Sequence, residues 1–283
     1  MSGRLRVAAC QFPVTGDVAA NGTRVRRLLA AAAARGAHLV QFPEAALSGY
    51  GGFHFRSFAG YDWAALRAET RRVLDAARAA GVFVLLGSAH SLGRRARPTN
   101  CMYVIDRRGR VADRYDKSMG TPEDLRVYTP GDRRVVFSLR GVRCGVLVCY
   151  DGCYPELYAA YRAMGVELML HSFHNAGFEE PNVLDEYKPA LIRTRAADNG
   201  MWVVACNSSA RHSSWATCVA RPDGSIAASL RRHATGILVH DFPDPRLRGW
   251  LHNLRPYRLH PKTPLHNGRP SRSARARDGR SHP

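Results

Sequence analysis

Val146-Leu147-Val148-Cys149-Tyr150-Asp151 is an apolar run that stops on a cysteine, and what surrounds it decides the fold. A short β-branched run of this kind reads as a buried strand, here over 145–149. Pro155 suits the first turn of a following helix and Gly165 its C-terminal stop, which predicts a helix from Pro155 to Met164. A strand over 167–171, a helix over about 185–199 and a strand over 201–206 continue the alternation. The same unit stands upstream. Leu5 to Cys10 reads as a buried strand, and Asn21 or Thr23 as the cap of a helix with apolar positions Val25, Leu28, Leu29 and Ala32, closed by Gly36. His38 to Phe42 is the next strand, stopped by Pro43; a helix over Trp63 to Ala80 and a strand over Val82 to Leu86 follow.

Between the two units the pattern turns antiparallel. Met102 to Ile105 and Val111 to Tyr115 flank an Asp106-Arg107-Arg108-Gly109 turn, and Val135 to Leu139 precedes the cysteine strand. Strands over 215–221, 225–230 and 236–241 close the domain, with Pro222-Asp223-Gly224 as a hairpin turn. Two helix-bearing halves around mixed strands predict an α/β fold with helices packed outside the sheets. No short-period repeat is visible. Residues 1–243 read as one domain and 244–283 as a basic tail expected to be disordered.

The formal charge of +19 invites a nucleic-acid or membrane reading, but its distribution weakens that reading. Ten of the 42 basic residues follow residue 245, opposed there by Asp278 alone, in a stretch rich in Arg, Pro, His and Ser. The tail is expected to contact polyanions nonspecifically; the body carries no RNA-binding, zinc-finger or helix-turn-helix pattern. No stretch approaches the roughly 20 apolar residues of a membrane span, and the N-terminus does not resemble a signal peptide. The expectation is a soluble, cytoplasmic protein without membrane contact. Seven cysteines, an odd number without framework spacing, argue against structural disulfides. The one close pair, Cys149 and Cys153, lacks the spacing of zinc or redox pairs, so neither a metal nor another cofactor is expected.

At three points a buried strand ends on a reactive side chain, where open α/β sheets build their sites. Phe42-Pro43-Glu44, Tyr115-Asp116-Lys117 and Val148-Cys149 are those points. Singly, each has a plain structural explanation: a core cysteine, a capping glutamate, a surface lysine. Lys117 stands out, since the chain uses three lysines against 39 arginines. A lysine in that setting suggests a need for a compact ammonium rather than a planar fork.

Together, the order Glu, Lys, Cys with these flanks resembles the nitrilase superfamily of carbon–nitrogen hydrolases, in its amidase or carbamoyl-amidase branch. The matching pieces are Ala9-Cys10-Gln11, Phe42-Pro43-Glu44 with Gly49-Tyr50, Tyr115-Asp116-Lys117, Thr129-Pro130-Gly131-Asp132, and Cys149-Tyr150-Asp151 with Tyr154-Pro155-Glu156-Leu157. Arg193 to Asn199, Asn207 and Pro222-Asp223-Gly224 extend the likeness across most of the body. The resemblance implies a four-layer αββα sandwich, assembly as a homodimer or higher homo-oligomer, and a small amide or carbamoyl substrate. It implies Cys149 as nucleophile, Glu44 as base, and Lys117 with the backbone N–H of Tyr150 as oxyanion donors.

Two departures accompany it. A second glutamate common in the family falls here on Glu123 or Asp124, and counting back from Gly131 favours Asp124. Cys153 and Tyr154 stand where amidase-like members often carry Arg-Phe. Asp151, two after the nucleophile, resembles amidases more than true nitrilases, which usually carry glutamate there. His174 and Asn175 follow a strand where the family places pocket walls, and Tyr50 with the Gly51 to Phe55 loop is expected at the pocket mouth.

Overall fold

The computed structural model describes residues 4–93, 96–177 and 181–242. The expectation for 244–283 lies outside the described residues. The first half runs β1 (Leu5–Gln11), α1 (Val18–Ala34), β2 (Leu39–Gln41), α2 (Trp63–Ala80), β3 (Phe83–His90), β4 (Thr99–Ile105) and β5 (Val111–Asp116). The second runs α3 (Asp124–Val127), β6 (Val136–Leu139), β7 (Val142–Val148), α4 (Pro155–Ala163), β8 (Leu168–Ser172), α5 (Leu184–Asn199), β9 (Trp202–Cys206), β10 (Cys218–Ala220), β11 (Ile226–Ser229) and β12 (Gly236–Phe242).

These strands form two six-stranded sheets, ordered β12-β1-β2-β3-β4-β5 and β11-β10-β9-β8-β7-β6. In each, three central strands are parallel and joined through helices, while the outer strands are antiparallel. Side chains alternate between the faces of a strand. Ala8, Cys10, Val40, Val84 and Leu86 join Val25, Leu28 and Leu29 of α1 and Leu66, Val73 and Ala77 of α2 in one buried cluster. The opposite face of the same sheet meets the second sheet. Gln41 Nε2 donates to Ser172 Oγ at 3.0 Å and Ser172 Oγ to the Phe42 carbonyl at 2.8 Å, tying β2 to the end of β8. On the far side, Tyr161 of α4 donates from Oη to the Val146 carbonyl of β7 at 2.8 Å. Helices thus cover the outer face of each sheet, in the αββα order the resemblance implies.

Local chemistry sets the boundaries that the sequence reading misplaced. Helix α1 starts a turn earlier than expected because Asp17, not Asn21 or Thr23, caps it, with Oδ1 accepting from Ala20 N at 3.0 Å. Asn21 is instead buried within the helix, where its Oδ1 accepts from Thr15 N and its Nδ2 donates to the Thr15 carbonyl. Strand β3 runs on to His90, paired residue by residue with β4. It passes directly behind the Glu44 turn: a Cβ on Gly87 would lie 2.0 Å from the Pro43 carbonyl oxygen, so only glycine lets the two backbones meet. Among the described residues no helix is long and apolar enough to cross a membrane.

Candidate active site

The structure brings Glu44, Lys117 and Cys149 to the C-terminal ends of β2, β5 and β7, on facing sheets. Glu44 is wholly buried and Lys117 and Cys149 nearly so. Pro43 ends β2, and Ala45 beyond it sits in the left-handed region at φ 56°. Cys149 itself has φ 44°, where a side chain is strained, and opens a short 3₁₀ turn over Cys149–Cys153. Strain of this kind survives only where surrounding contacts hold it. Here Asp151 does so: Oδ2 accepts from Val148 N at 2.9 Å and Tyr115 Oη at 2.8 Å, and Oδ1 from Met119 N at 2.8 Å. One carboxyl therefore ties the cysteine turn to the residues on either side of Lys117. Burial pushes that carboxyl up to about 6 despite its three donors.

The charged array is dense. Lys117 Nζ donates to Glu44 Oε1 at 2.8 Å and to Asp124 Oδ2 at 2.7 Å, and stands 3.3 Å from Tyr50 Oη. Burial alone would lower its pKa, but Glu44, Tyr50, Cys149 and Asp124 outweigh burial and hold the ammonium well above the ordinary lysine value. Asp124 also accepts from Tyr50 Oη at 2.6 Å and Thr121 N at 3.0 Å. Burial works against its ionised form, yet the Lys117 partnership prevails and its pKa is lowered. Glu123 is exposed and makes none of these contacts; of the two acids the sequence left open, Asp124 is the one that meets Lys117. The shorter aspartate reaches because Lys117 and α3 lie close enough to close the gap.

Glu44 is held from every side. Oε1 also accepts from Asn100 Nδ2 at 2.7 Å, and Oε2 from the backbone N of His174 at 2.9 Å. Asn100 was not singled out in the sequence; a lone amide amid the apolar residues of β4 was its only signal. Asn175 lies beside Cys149, with Nδ2 3.5 Å from its Sγ and Oδ1 accepting from Trp215 Nε1 at 3.1 Å. Trp215 was likewise unremarked.

Two of the expected pocket residues, Tyr50 and His174, make contacts the sequence did not announce, and Tyr150 stands where an oxyanion donor is expected. The Tyr50 hydroxyl is engaged with Asp124 and Lys117, and its ring lies 5.2 Å from the His174 ring. The His174 side chain turns toward Tyr50, Phe53 and His54, and its contact with Glu44 is through the backbone. Burial, with His54 beside it, lowers the His174 imidazole to about 3, so the ring is neutral. Tyr150 is half-buried at the second position of the 3₁₀ turn, where N–H groups have no partner within the helix.

Cys149 is a thiol in this arrangement. Burial, then the Glu44 carboxylate, push it up to about 12, against the pull of Lys117 and Lys188. The ammonium of Lys117 cannot supply a free thiolate because two carboxylates already neutralise it. A thiol so placed could act as a nucleophile only if a base took its proton.

Residues 6–251 match the profile of the family described as carbon-nitrogen hydrolase. An (R)-stereoselective amidase from a Pseudomonas species is 32% identical over 197 residues, 68% of this chain and 66% of that protein. Nitrilase homolog 2 of Dictyostelium discoideum is 25% identical over 218 residues, 71% of this chain and 64% of its own length. The chain thus spans just under two thirds of these curated relatives. Among solved structures, a variant of the Nesterenkonia AN1 amidase from the nitrilase superfamily superposes with a TM-score of 0.75 at 25% identity, covering 90% of this chain and 95% of that one. A second structure of that amidase, with the acetamide moiety of fluoroacetamide added covalently at its active-site cysteine, gives 0.75 at 25% identity over 89% and 94%.

Proposed function

We propose that this chain, which belongs to the carbon-nitrogen hydrolase family, is an amidase that cleaves a small amide or N-carbamoyl substrate through a thioester on Cys149. The observation that carries the reading is the buried Glu44–Lys117–Asp124 array set against a strained cysteine turn. The covalent adduct on the active-site cysteine of the Nesterenkonia amidase supports the nucleophilic role.

The proposed reaction starts from the neutral thiol. Glu44 takes the Sγ proton as sulfur attacks the amide carbon, so no free thiolate has to exist in the buried site. The resulting oxyanion is stabilised by Lys117 and the Tyr150 N–H. Two of the three Lys117 protons are committed to carboxylates at 2.8 and 2.7 Å; the third, toward Tyr50 Oη at 3.3 Å, is the one exchanged for the oxyanion. Collapse of the tetrahedral centre breaks the C–N bond, and Glu44 passes its proton to the departing ammonia or amine. Water then enters, Glu44 takes its proton, and hydroxide attacks the thioester. The acid leaves and the proton returns to Cys149 Sγ. Asn175 orients the sulfur, while Asn100 and the His174 N–H hold Glu44 in line.

Asp151 supports an amide over a nitrile substrate. Seven cysteines recorded as free support the proposed cytoplasmic location, a reducing compartment. A homodimer or higher homo-oligomer belongs to the same proposal, and sedimentation velocity tests it. The function is tested by an ammonia-release screen across aliphatic amides, carbamoyl amines, carbamoyl amino acids and nitriles, with hydroxylamine added in a parallel set. Release from amides or carbamoyl compounds is expected. Release from nitriles alone, or hydroxamate formation that displaces hydrolysis entirely, would overturn it.

A further inference from the structure

Of the three lysines in the chain, two fall within the described residues, and both are buried beside the cysteine turn. Lys117 has two carboxylate partners. Lys188 has none among the described residues, although its exposure is only 3%. It sits on the inward face of α5, together with Leu191 and Ile192, and its ammonium lies 3.7 Å from Cys153 Sγ, a weak acceptor, at the end of the cysteine turn. Its other recorded neighbour is the ring of Tyr187, 5.4 Å away. The three acids on its own helix are engaged elsewhere or point outward: Asp185 faces Asn182 and lies 3.7 Å from Arg232, Glu186 is exposed, and Asp198 lies 3.9 Å from Arg195.

A buried ammonium without a counter-ion is costly to keep. Its charge also reaches Cys149, where with Lys117 it opposes the rise that burial and Glu44 impose on the thiol. The chain's strong preference for arginine makes an unpaired lysine here a choice of a compact point charge.

We infer that Lys188 is the specificity residue of this site and that it binds a carboxylate at the far end of the substrate, so that the substrate class is an amide carrying a second, ionised group. The inference rests on Cys149 being the nucleophile. The substrate's anion completes the ion pair that the described residues leave open, at the Cys153 end of the cysteine turn. The binding energy is realised before any bond changes, so it acts mainly through KM.

The experiment compares kcat/KM for the monoamides of malonic, succinic and glutaric acids with neutral primary amides of matching length, in the wild type, Lys188→Met and Lys188→Glu. A charge-assisted hydrogen bond to a buried partner corresponds to a preference of at least about tenfold for one of the monoamides. That preference should collapse in Lys188→Met through KM, and Lys188→Glu should turn it toward amides bearing an amino group. No preference in the wild type, or one that Lys188→Met leaves in place, overturns the inference. Should the variants fail to fold, succinate in the wild type still decides: competitive inhibition of neutral-amide hydrolysis supports the assignment, and none refutes it. If no amide of either kind is hydrolysed, the amidase reading itself has failed. Calorimetric binding of succinate to Cys149→Ala, with and without Lys188→Met, then tests Lys188 alone: binding that needs Lys188 supports it, and equal or absent binding overturns it.

Discussion

Replacing Asp124 by asparagine isolates what the second carboxylate does. Asp124 is nearly as buried as the lysine it faces, with N···O at 2.7 Å. At an effective dielectric of about 20, a unit pair at that separation attracts by roughly 6 kcal/mol, most of which offsets the desolvation of both ions. The net loss on neutralising one partner is then that of a charge-assisted hydrogen bond, about 1.5 to 3 kcal/mol. Asparagine can still accept from Lys117 and Thr121 through its oxygen, but its amide then faces Tyr50 Oη, which must stop donating there. Lys117 would swing toward Glu44, its remaining carboxylate, and away from the oxyanion. Ammonia-release kinetics should show kcat/KM down by roughly 10- to 100-fold, mainly in kcat, with a loss of about 1 to 3 kcal/mol in urea unfolding. The exposed Glu123→Gln serves as control and should remain within about twofold. Near-normal kcat in Asp124→Asn, or an equal loss in Glu123→Gln, would mean that Asp124 does not hold Lys117 in its working position.

Three further outcomes follow from the same geometry. Cys149→Ala should fold, because alanine tolerates φ 44° about as well as cysteine, and should lose turnover; Cys149→Ser should be nearly as inactive, and comparable activity in either would remove the thioester. Alkylation of Cys149 should keep accelerating as pH rises past about 9, since burial and Glu44 push its thiol up to about 12; a plateau near neutrality would reveal a preformed thiolate. Asp151, with its folded pKa raised to about 6, holds its proton more tightly when folded, so its contribution to stability is present below about pH 4 and is lost as pH rises through 6. The loss amounts to about 3 kcal/mol, read as a steeper fall in urea-unfolding stability from about pH 4.5 to 7 in the wild type than in Asp151→Asn.

Much of the fold was legible because buried strands and helices announce themselves by period. The 63–80 helix needed only its spacing and Gly81. Helix α1 was misread at its start because Asp17 and Asn21 both suit a cap, and the deciding contact, Asn21 to Thr15 and Leu47, is tertiary. The catalytic candidates were legible as reactive side chains closing strands. Their supports were not: Asn100 reaches Glu44 across 56 residues, and Trp215 reaches Asn175 across 40. The protonation of Cys149 was also hidden, since a lysine nearby suggests a thiolate until two carboxylates are seen to claim it. Asp151 marked a motif in the sequence; only the structure displays it bracing the Cys149 turn.

A covalent acyl group at Cys149 is the central intermediate of the proposed reaction. The direct measurement is acid-quenched mass spectrometry of the enzyme turning over a good amide substrate, followed by peptide mapping. The prediction is a mass increase equal to the acyl group, confined to the peptide carrying Cys149 and absent from Cys149→Ala. Ammonia release with no adduct at any quench time in the presence of a slowly deacylating substrate, or an adduct on Cys153 instead, would contradict it.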